Sequence, residues 1–370
     1  MKTIACIVGA RPNFVKMGPI LSALKVHAGA LKPVLVHTGQ HYDRLMSDLL
    51  FKQLRLPKPD VHLRVGSGNH GEQTAKILQA FEAWLMALGQ KPVATLVVGD
   101  VNSTVACALA SVKLNIPVIH VEAGLRSRDR TMPEEINRVL TDAIADLMLV
   151  SEPAGVKNLV REGRPRRAIR LVGNVMIDAL RSQLPAASRL ETYSRFGLRR
   201  RHYVLCTLHR PSNVDNEELL LSWLRALEQI GRKVPVVFPV HPRTKARLEA
   251  IGVWAKFADR SGIFATEPLG YLECLSVSSQ AVAVITDSGG LQEETTALKI
   301  PCLTLRDTTE RPITVAQGTS TLVGPHPQKL IRLMDEVLNG TYKKGTPPKL
   351  WDGHAADRIA KAVAAFVSAL

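Results

Sequence analysis

Short apolar runs rich in β-branched residues alternate with helix-like segments along nearly the whole chain, and most of them stop at a small polar cluster. IACIVG, PVLVHTG, ATLVVGD, IPVIHVE, DLMLVS and IRLVGN lie in the first half, and YVLCTLH, VPVVFPVH, AVAVITD and IPCLTLR in the second. An unbroken apolar run suits a strand covered on both faces, and repetition of strand, helix, strand produces parallel sheets flanked by helices. The predicted class is therefore α/β with parallel sheets. The pattern also restarts. After LVGN a charged helical stretch runs from about Val175 to Arg201, with Pro185 inside it, before strands resume at Tyr203. A chain of 370 residues can supply two domains with separate cores. The predicted division is 1–173, 174–353 and a closing amphipathic helix over 354–370.

Parallel sheets bind ligands where their strands end, so the polar clusters carry the functional argument. TDSGGLQEET follows the run AVAVI: Ser288, Gly289 and Gly290 read as a tight turn into a helix starting near Leu291. Glycines let bare backbone N–H groups approach a ligand, and a helix N-terminus favours an anion such as a diphosphate. Glu294, one turn further on, could accept two hydrogen bonds from a ribose diol. The plain alternative is a capped helix with solvated glutamates. GARPNFVKM follows the first strand and lacks the GxGxxG spacing, so a nicotinamide cofactor is not indicated; Arg11 and Lys16 instead put two cations at a helix mouth.

In VVGDVNST, Asp100 stands at a strand end before Asn102, Ser103 and Thr104, where helix capping competes with a functional role. HVEAGLRSRDRTMPEEINR places Glu122 at the end of a strand and Glu134 and Glu135 in the first turn of a helix, where the dipole alone would favour them. Glu122 has no such reason. Because Asp100 and Glu122 follow neighbouring strands, they are expected to converge as paired carboxylates suited to acid and base chemistry. TLHRPSNVD (His209, Arg210) and FPVHPRT (His241, Arg243) end two later strands, and LRDTTERP brackets Glu310 with Arg306 and Arg311. No HExxH occurs, and HTGQH (His37, His41) crosses a strand end, so no metal is expected.

The net charge of +15 would attract an anion, yet the basic residues are dispersed and aromatics are only 5% of the chain. That disfavours nucleic acid and leaves a small anionic ligand. The five cysteines stand singly without CxxC spacing, and TIACIVG is too short for a signal peptide or a membrane span. The expectation is a cytoplasmic protein with reduced thiols and no membrane partner.

As an ordered set, GARPNFVK, TGQH, GDVNST, HVEAGLRS, PEEINR, TLHRPSNVD, HPRT, TDSGGLQEE and TERP resemble the non-hydrolysing UDP-N-acetylglucosamine 2-epimerases, in family order from residue 9 to 324. The resemblance implies two Rossmann-like domains of glycosyltransferase-B architecture, with UDP on the second domain, the sugar in the interdomain cleft, and the last helix returning to the first domain. It implies interconversion of UDP-GlcNAc and UDP-ManNAc, by anti elimination of UDP to 2-acetamidoglucal and re-addition, without cofactor or metal. It assigns Asp100, Glu122, Glu134 and His209 to catalysis. Arg11, Lys16, His241, Ser288, Gly289, Gly290, Glu294 and Arg311 match the UDP contacts. Gln40, His41, Gln73, Glu135 and Arg210 match a second, activating UDP-GlcNAc site, although Glu72 stands where members with that site often carry a basic residue. Members supply precursors of cell-surface polysaccharide and are commonly homodimers. Lys299, in TTALKIP, replaces a usual glycine at a helix C-terminus, where little effect is expected. The rival readings are a 2-epimerase of a diacetamido uronic acid sugar, a hydrolysing epimerase, a glycosyltransferase and a non-enzymatic sensor.

Overall fold

Every one of the apolar runs above becomes a strand. The computed structural model describes residues 2–27, 29, 31–40, 57–258 and 260–370, with only the backbone of Arg11 and Pro12. It divides into two compact units, Met1–Arg181 with Lys349–Leu370, and Ser182–Pro348.

The first unit holds β1 (Lys2–Val8), β2 (Leu31–His37), β3 (Val61–His62), β4 (Ala94–Val98), β5 (Val118–Val121), β6 (Leu147–Val150) and β7 (Ile169–Leu171). They form one sheet in the order β3-β2-β1-β4-β5-β6-β7, and every described pairing is parallel. All residues of β4, β5 and β6 are buried, as strands covered on both faces require. The helix His70–Ala87 shows how the covering is coded: Gln73, Ile77, Phe81 and Leu85, four residues apart, form its buried stripe. Phe81 is wholly buried; its truncation to alanine would cost about 3–5 kcal/mol. The helix Ala355–Ser368 packs on the helix Arg11–His27, and His27 meets Asp357 at 3.0 Å between them.

The second unit holds β8 (Val204–Thr207), β9 (Val236–Pro239), β10 (Ile263–Thr266), β11 (Ala283–Thr286), β12 (Cys302–Thr304) and β13 (Ser320–Leu322), in the order β10-β9-β8-β11-β12-β13, again parallel. Trp223, Leu227 and Ile230 of the helix Glu217–Gly231 share its core with Val236 and Phe238 of the sheet.

In each unit the strand order reverses once, between β1 and β4 in the first sheet and between β8 and β11 in the second. Such a switch point opens a crevice at the carboxyl ends of the strands. GARPN follows β1, GDVNST follows β4, TLHR follows β8 and TDSGG follows β11, so the sequence puts its unusual polar clusters at both crevices.

Candidate active site

At the first unit's switch point the register aligns Val98 of β4 with Val121 of β5, and the Gly99 N–H donates to the Val121 carbonyl at 3.0 Å. Asp100 and Glu122 therefore follow the ends of adjacent strands. Glu122 has φ 68°, the left-handed region that a residue with a side chain enters at a cost, and its carboxylate is buried. Lys16 pairs with that carboxylate in a buried contact. Gly99 lies directly beneath: a Cβ there would stand 3.5 Å from Glu122 Oε2 and 3.6 Å from Lys16 Nζ. Lys16, matched above to phosphate, is thus a direct partner of a candidate catalytic carboxylate.

Asp100 does not cap the helix that follows it. Val101 takes the cap position without a side-chain bond, and the Asp100 carboxylate accepts from Arg138 at 2.8 Å. Its side chain is 35% exposed against 3% for Glu122, so Asp100 is the carboxylate a ligand can reach. Arg138 also donates to Glu135 at 2.7 Å, and Glu135 accepts from the Ser127 and Arg128 N–H groups at 2.9 Å each. One buried guanidinium thus holds two carboxylates in charge-assisted bonds; losing one partner of such a buried group costs about 3–5 kcal/mol. Glu134 sits half-buried in the first turn of the helix Pro133–Ile144.

Gln40, Gln73 and Glu135, matched to a second ligand site, are all buried and bonded within the protein. Gln40 Oε1 accepts from the Ser103 backbone and hydroxyl at 3.0 and 2.7 Å, while Gln73 donates to the Gln40 and Gly66 carbonyls and accepts from Asn102. Glu72 is exposed and pairs with Lys76 at 2.5 Å. His41 and the Arg11 side chain lie outside the described residues.

At the second unit's switch point, Thr207 of β8 bonds Thr286 of β11 at 2.6 Å, which brings His209 and Asp287 together. Asp287 is fully buried; it meets His209 Nδ1 at 2.8 Å and accepts the backbone N–H groups of His209 and Arg210 at 2.9 and 2.8 Å. Burial pushes its carboxyl up, but the His209 hydrogen bond and charge and the two backbone donors outweigh that and hold it below the ordinary value. Engaged on Nδ1, His209 presents its other ring nitrogen elsewhere, and the ring lies 5.4 Å from that of His241. Burial, followed by the neighbouring His209, lowers the pKa of His241. Arg210 reaches the Asp287 carbonyl through Nε at 3.3 Å.

The helix Gly289–Leu298 begins at the glycines, two residues earlier than expected. The Ser288 side chain does not cap it, and Ser288, Gly289 and Gly290 are partly exposed. Their backbone N–H groups and the helix dipole suit an anion. Glu294, buried on the same helix, accepts from the Tyr271 hydroxyl at 3.3 Å, and Arg311 pairs with Glu293 at 2.5 Å. Among the described residues no three His, Cys, Asp or Glu side chains gather as metal ligands would.

Sequence reasoning missed Asp287, Arg138 and Asn13. Asn13 Nδ2 donates to the Val98 carbonyl at 2.7 Å, tying the GARPN turn to β4. The signal was present for two of them: Asp287 opens TDSGG one residue past a strand, and Arg138 stands one helical turn after Glu135.

Two successive Rossmann-like units of parallel α/β build, each with its polar cluster at the switch point, place the protein in the glycosyltransferase-B class. Residues 23–364 match the family model described as UDP-N-acetylglucosamine 2-epimerase, and the chain belongs to that family. It is 41% identical to the UDP-N-acetylglucosamine 2-epimerase of Methanocaldococcus jannaschii, over 97% of this chain and 98% of that one. It is 39% identical to the UDP-2,3-diacetamido-2,3-dideoxy-D-glucuronate 2-epimerase of Pseudomonas aeruginosa, over 98% and 99%. The crystal structure of the M. jannaschii UDP-GlcNAc 2-epimerase in complex with UDP-GlcNAc and UDP superposes with a TM-score of 0.88, at 41% identity, covering 98% of this chain and 99% of that one.

Proposed function

We propose that this chain is a non-hydrolysing isomerase that interconverts UDP-N-acetylglucosamine and UDP-N-acetylmannosamine. The carrying observation is that Asp100 and Glu122 follow the ends of adjacent strands, one reachable and one buried on Lys16. The C2 proton of the sugar is poorly acidic, so departure of UDP must lead. Donors around the diphosphate, from the Ser288, Gly289 and Gly290 turn with His209, His241 and Arg311, favour that departure. The sugar becomes 2-acetamidoglucal by anti elimination: the bond from C1 to the UDP oxygen breaks, the C2 proton passes to a carboxylate, and the electron pair forms the double bond. Return of a proton to the other face of C2 and re-addition of UDP at C1 complete the inversion. Asp100, Glu122 and Glu134 are the candidates for these proton transfers. Glu294 takes the ribose diol. No redox step occurs, so no cofactor is required.

A proton NMR time course with UDP-GlcNAc in D2O tests this reading. UDP-ManNAc, with deuterium entering C2 of both sugars, is the expected result; free ManNAc with UDP would identify a hydrolysing enzyme, and no reaction would reject the substrate. The near-equal identity to the diacetamido uronate epimerase favours one second reading, the same chemistry on that sugar. Parallel assays with both sugars separate them through the groups on C3 and C6.

The same reading places the enzyme in the cytoplasm, supplying precursors of cell-surface polysaccharide. No described helix is long and apolar enough to cross a membrane, and all five cysteines are free. A homodimer is supported by Ile136, Val139 and Leu140, large apolar side chains left 40–50% exposed along one face of the helix Pro133–Ile144; light scattering would give the mass of two chains. Rate against UDP-GlcNAc concentration measures whether a second nucleotide sugar acts at Gln40, His41, Gln73, Glu135 and Arg210; a hyperbolic curve would exclude activation.

A further inference from the structure

The turns that carry the candidate carboxylates meet in a buried charge network whose hub, Asp142, was not among the residues singled out. Asp142 lies near the end of the helix Pro133–Ile144 and is 1% exposed. Its Oδ1 faces Nδ1 of His120 at 2.7 Å, and its Oδ2 accepts from the Gly124 N–H at 2.9 Å and from Arg126 at 2.7 Å. Arg126 passes on to Glu162 through two further contacts, of 2.9 and 2.5 Å. Burial pushes the Asp142 carboxyl up, but His120, Arg126 and the Gly124 N–H outweigh it and hold the group ionised. His120, wholly buried in β5, sets Nε2 2.8 Å from the Gly99 carbonyl. A carbonyl only accepts, so in this contact His120 Nε2 is the donor.

What this network holds is informative. Gly99 precedes Asp100, Gly124 lies two residues after Glu122, and the helix bearing Asp142 begins beside Glu134. Gly99 and Glu122 both have left-handed backbones, with φ 71° and 68°. A conformation of this kind persists at a non-glycine residue only where its surroundings over-determine it. The His120 ring is the one described side chain that bonds the Gly99 carbonyl and is itself held by the element carrying Glu134.

We propose that His120 is a positioning residue of the epimerisation, acting through its Nε2 hydrogen bond to the Gly99 carbonyl to set Asp100 against Glu122, with Asp142 as its anchor. This rests on the epimerase reading above. Two substitutions separate the two bonds: His120→Gln keeps a donor where Nε2 stood, and His120→Asn keeps one where Nδ1 stood. His120→Asn is expected to lower kcat about 100-fold, the scale of a misplacement of about 1 Å, with KM and UDP affinity unchanged. His120→Gln should recover most of that loss. Amide exchange of residues 99–101 should accelerate in the Asn variant and stay slow in the Gln variant. Equal kcat in the two variants, or a better Asn variant, overturns the proposal. If the wild type epimerises neither UDP sugar, the epimerase reading fails by itself, and the exchange data decide the positioning role: unchanged exchange in His120→Asn overturns it. Should both variants fail to fold, Asp142→Asn keeps an acceptor for His120 while removing the charge. Its kcat should fall about tenfold at constant KM, within the range for a supporting partner, and an unaltered kcat would overturn the proposal.

Discussion

At the strand ends of the first unit, polar and charged side chains hold one another: Lys16 holds Glu122, Arg138 holds Asp100 and Glu135, and His120 and Arg126 hold Asp142. At the strand ends of the second unit, one carboxylate is buried among backbone N–H groups and a histidine, and the neighbouring turn presents further N–H groups from glycine. In the first arrangement each carboxylate is fixed in place by the side chain of another residue. The second can hold an anion because its donors are fixed by the backbone and need no counter-charge. The proposed function has the strand ends of one unit serve chemistry and those of the other serve binding, and on that proposal substitutions should split accordingly.

The largest expected effect tests the chemical half. Asp100→Asn keeps the shape and a hydrogen bond but removes the proton acceptor, and turnover should fall about 10³-fold, within the range for a lost acid or base. UDP affinity by calorimetry should stay within about twofold, since less than 0.4 kcal/mol is at stake. A parallel loss of UDP affinity would erase the division of labour.

Next comes the binding half. Glu294→Ala should weaken UDP about tenfold, the equivalent of 1.4 kcal/mol, while 2′-deoxy-UDP binds the variant and the parent alike. Equal losses for UDP and its deoxy analogue would remove Glu294 from the ribose.

Acid should reveal both networks. Asp142 and Asp287 are held below their unfolded value of about 3.9. A depressed carboxyl contributes stability that is present above the unfolded value and is lost as pH falls through the folded one. Urea midpoints should therefore be flat near neutrality and drop below about pH 4, with a smaller drop in Asp287→Asn. An undiminished drop in that variant would show that Asp287 is not a source of the acid sensitivity.

The extent to which this was legible follows from burial. The runs fully covered on both faces, such as ATLVV of β4, were readable because nothing charged interrupts them. The strands not foreseen, β3, β10 and β13, are all sheet edges of two to four residues, and edges are half-wet and pair on one side only. In the site, residues at strand ends were legible from position alone. The bond of Arg138 to Asp100 and the pairing of Lys16 with Glu122 were not, because partner choice depends on how turns from distant parts of the chain fold over one another.

Lys299 gives the smallest effect and the cleanest control. Little effect was expected from lysine at this helix end, yet it closes the helix Gly289–Leu298 with φ 58°. A side chain there crowds the following carbonyl and costs about 1–2 kcal/mol that glycine avoids, offset in part by the lower entropy of an unfolded lysine. The positive charge at the helix C-terminus returns only a few tenths of a kcal/mol or somewhat more, about 0.3–1. Lys299→Gly should therefore raise the unfolding free energy by roughly 0.5–1 kcal/mol, read from urea titrations. Because the change sits at the opposite end of the helix from the Ser288, Gly289 and Gly290 turn, UDP affinity should not move. A shift in affinity would mean that the binding end depends on the whole helix instead of on its first turn, and the contrast between fixed backbone donors and balanced side chains would have to be redrawn.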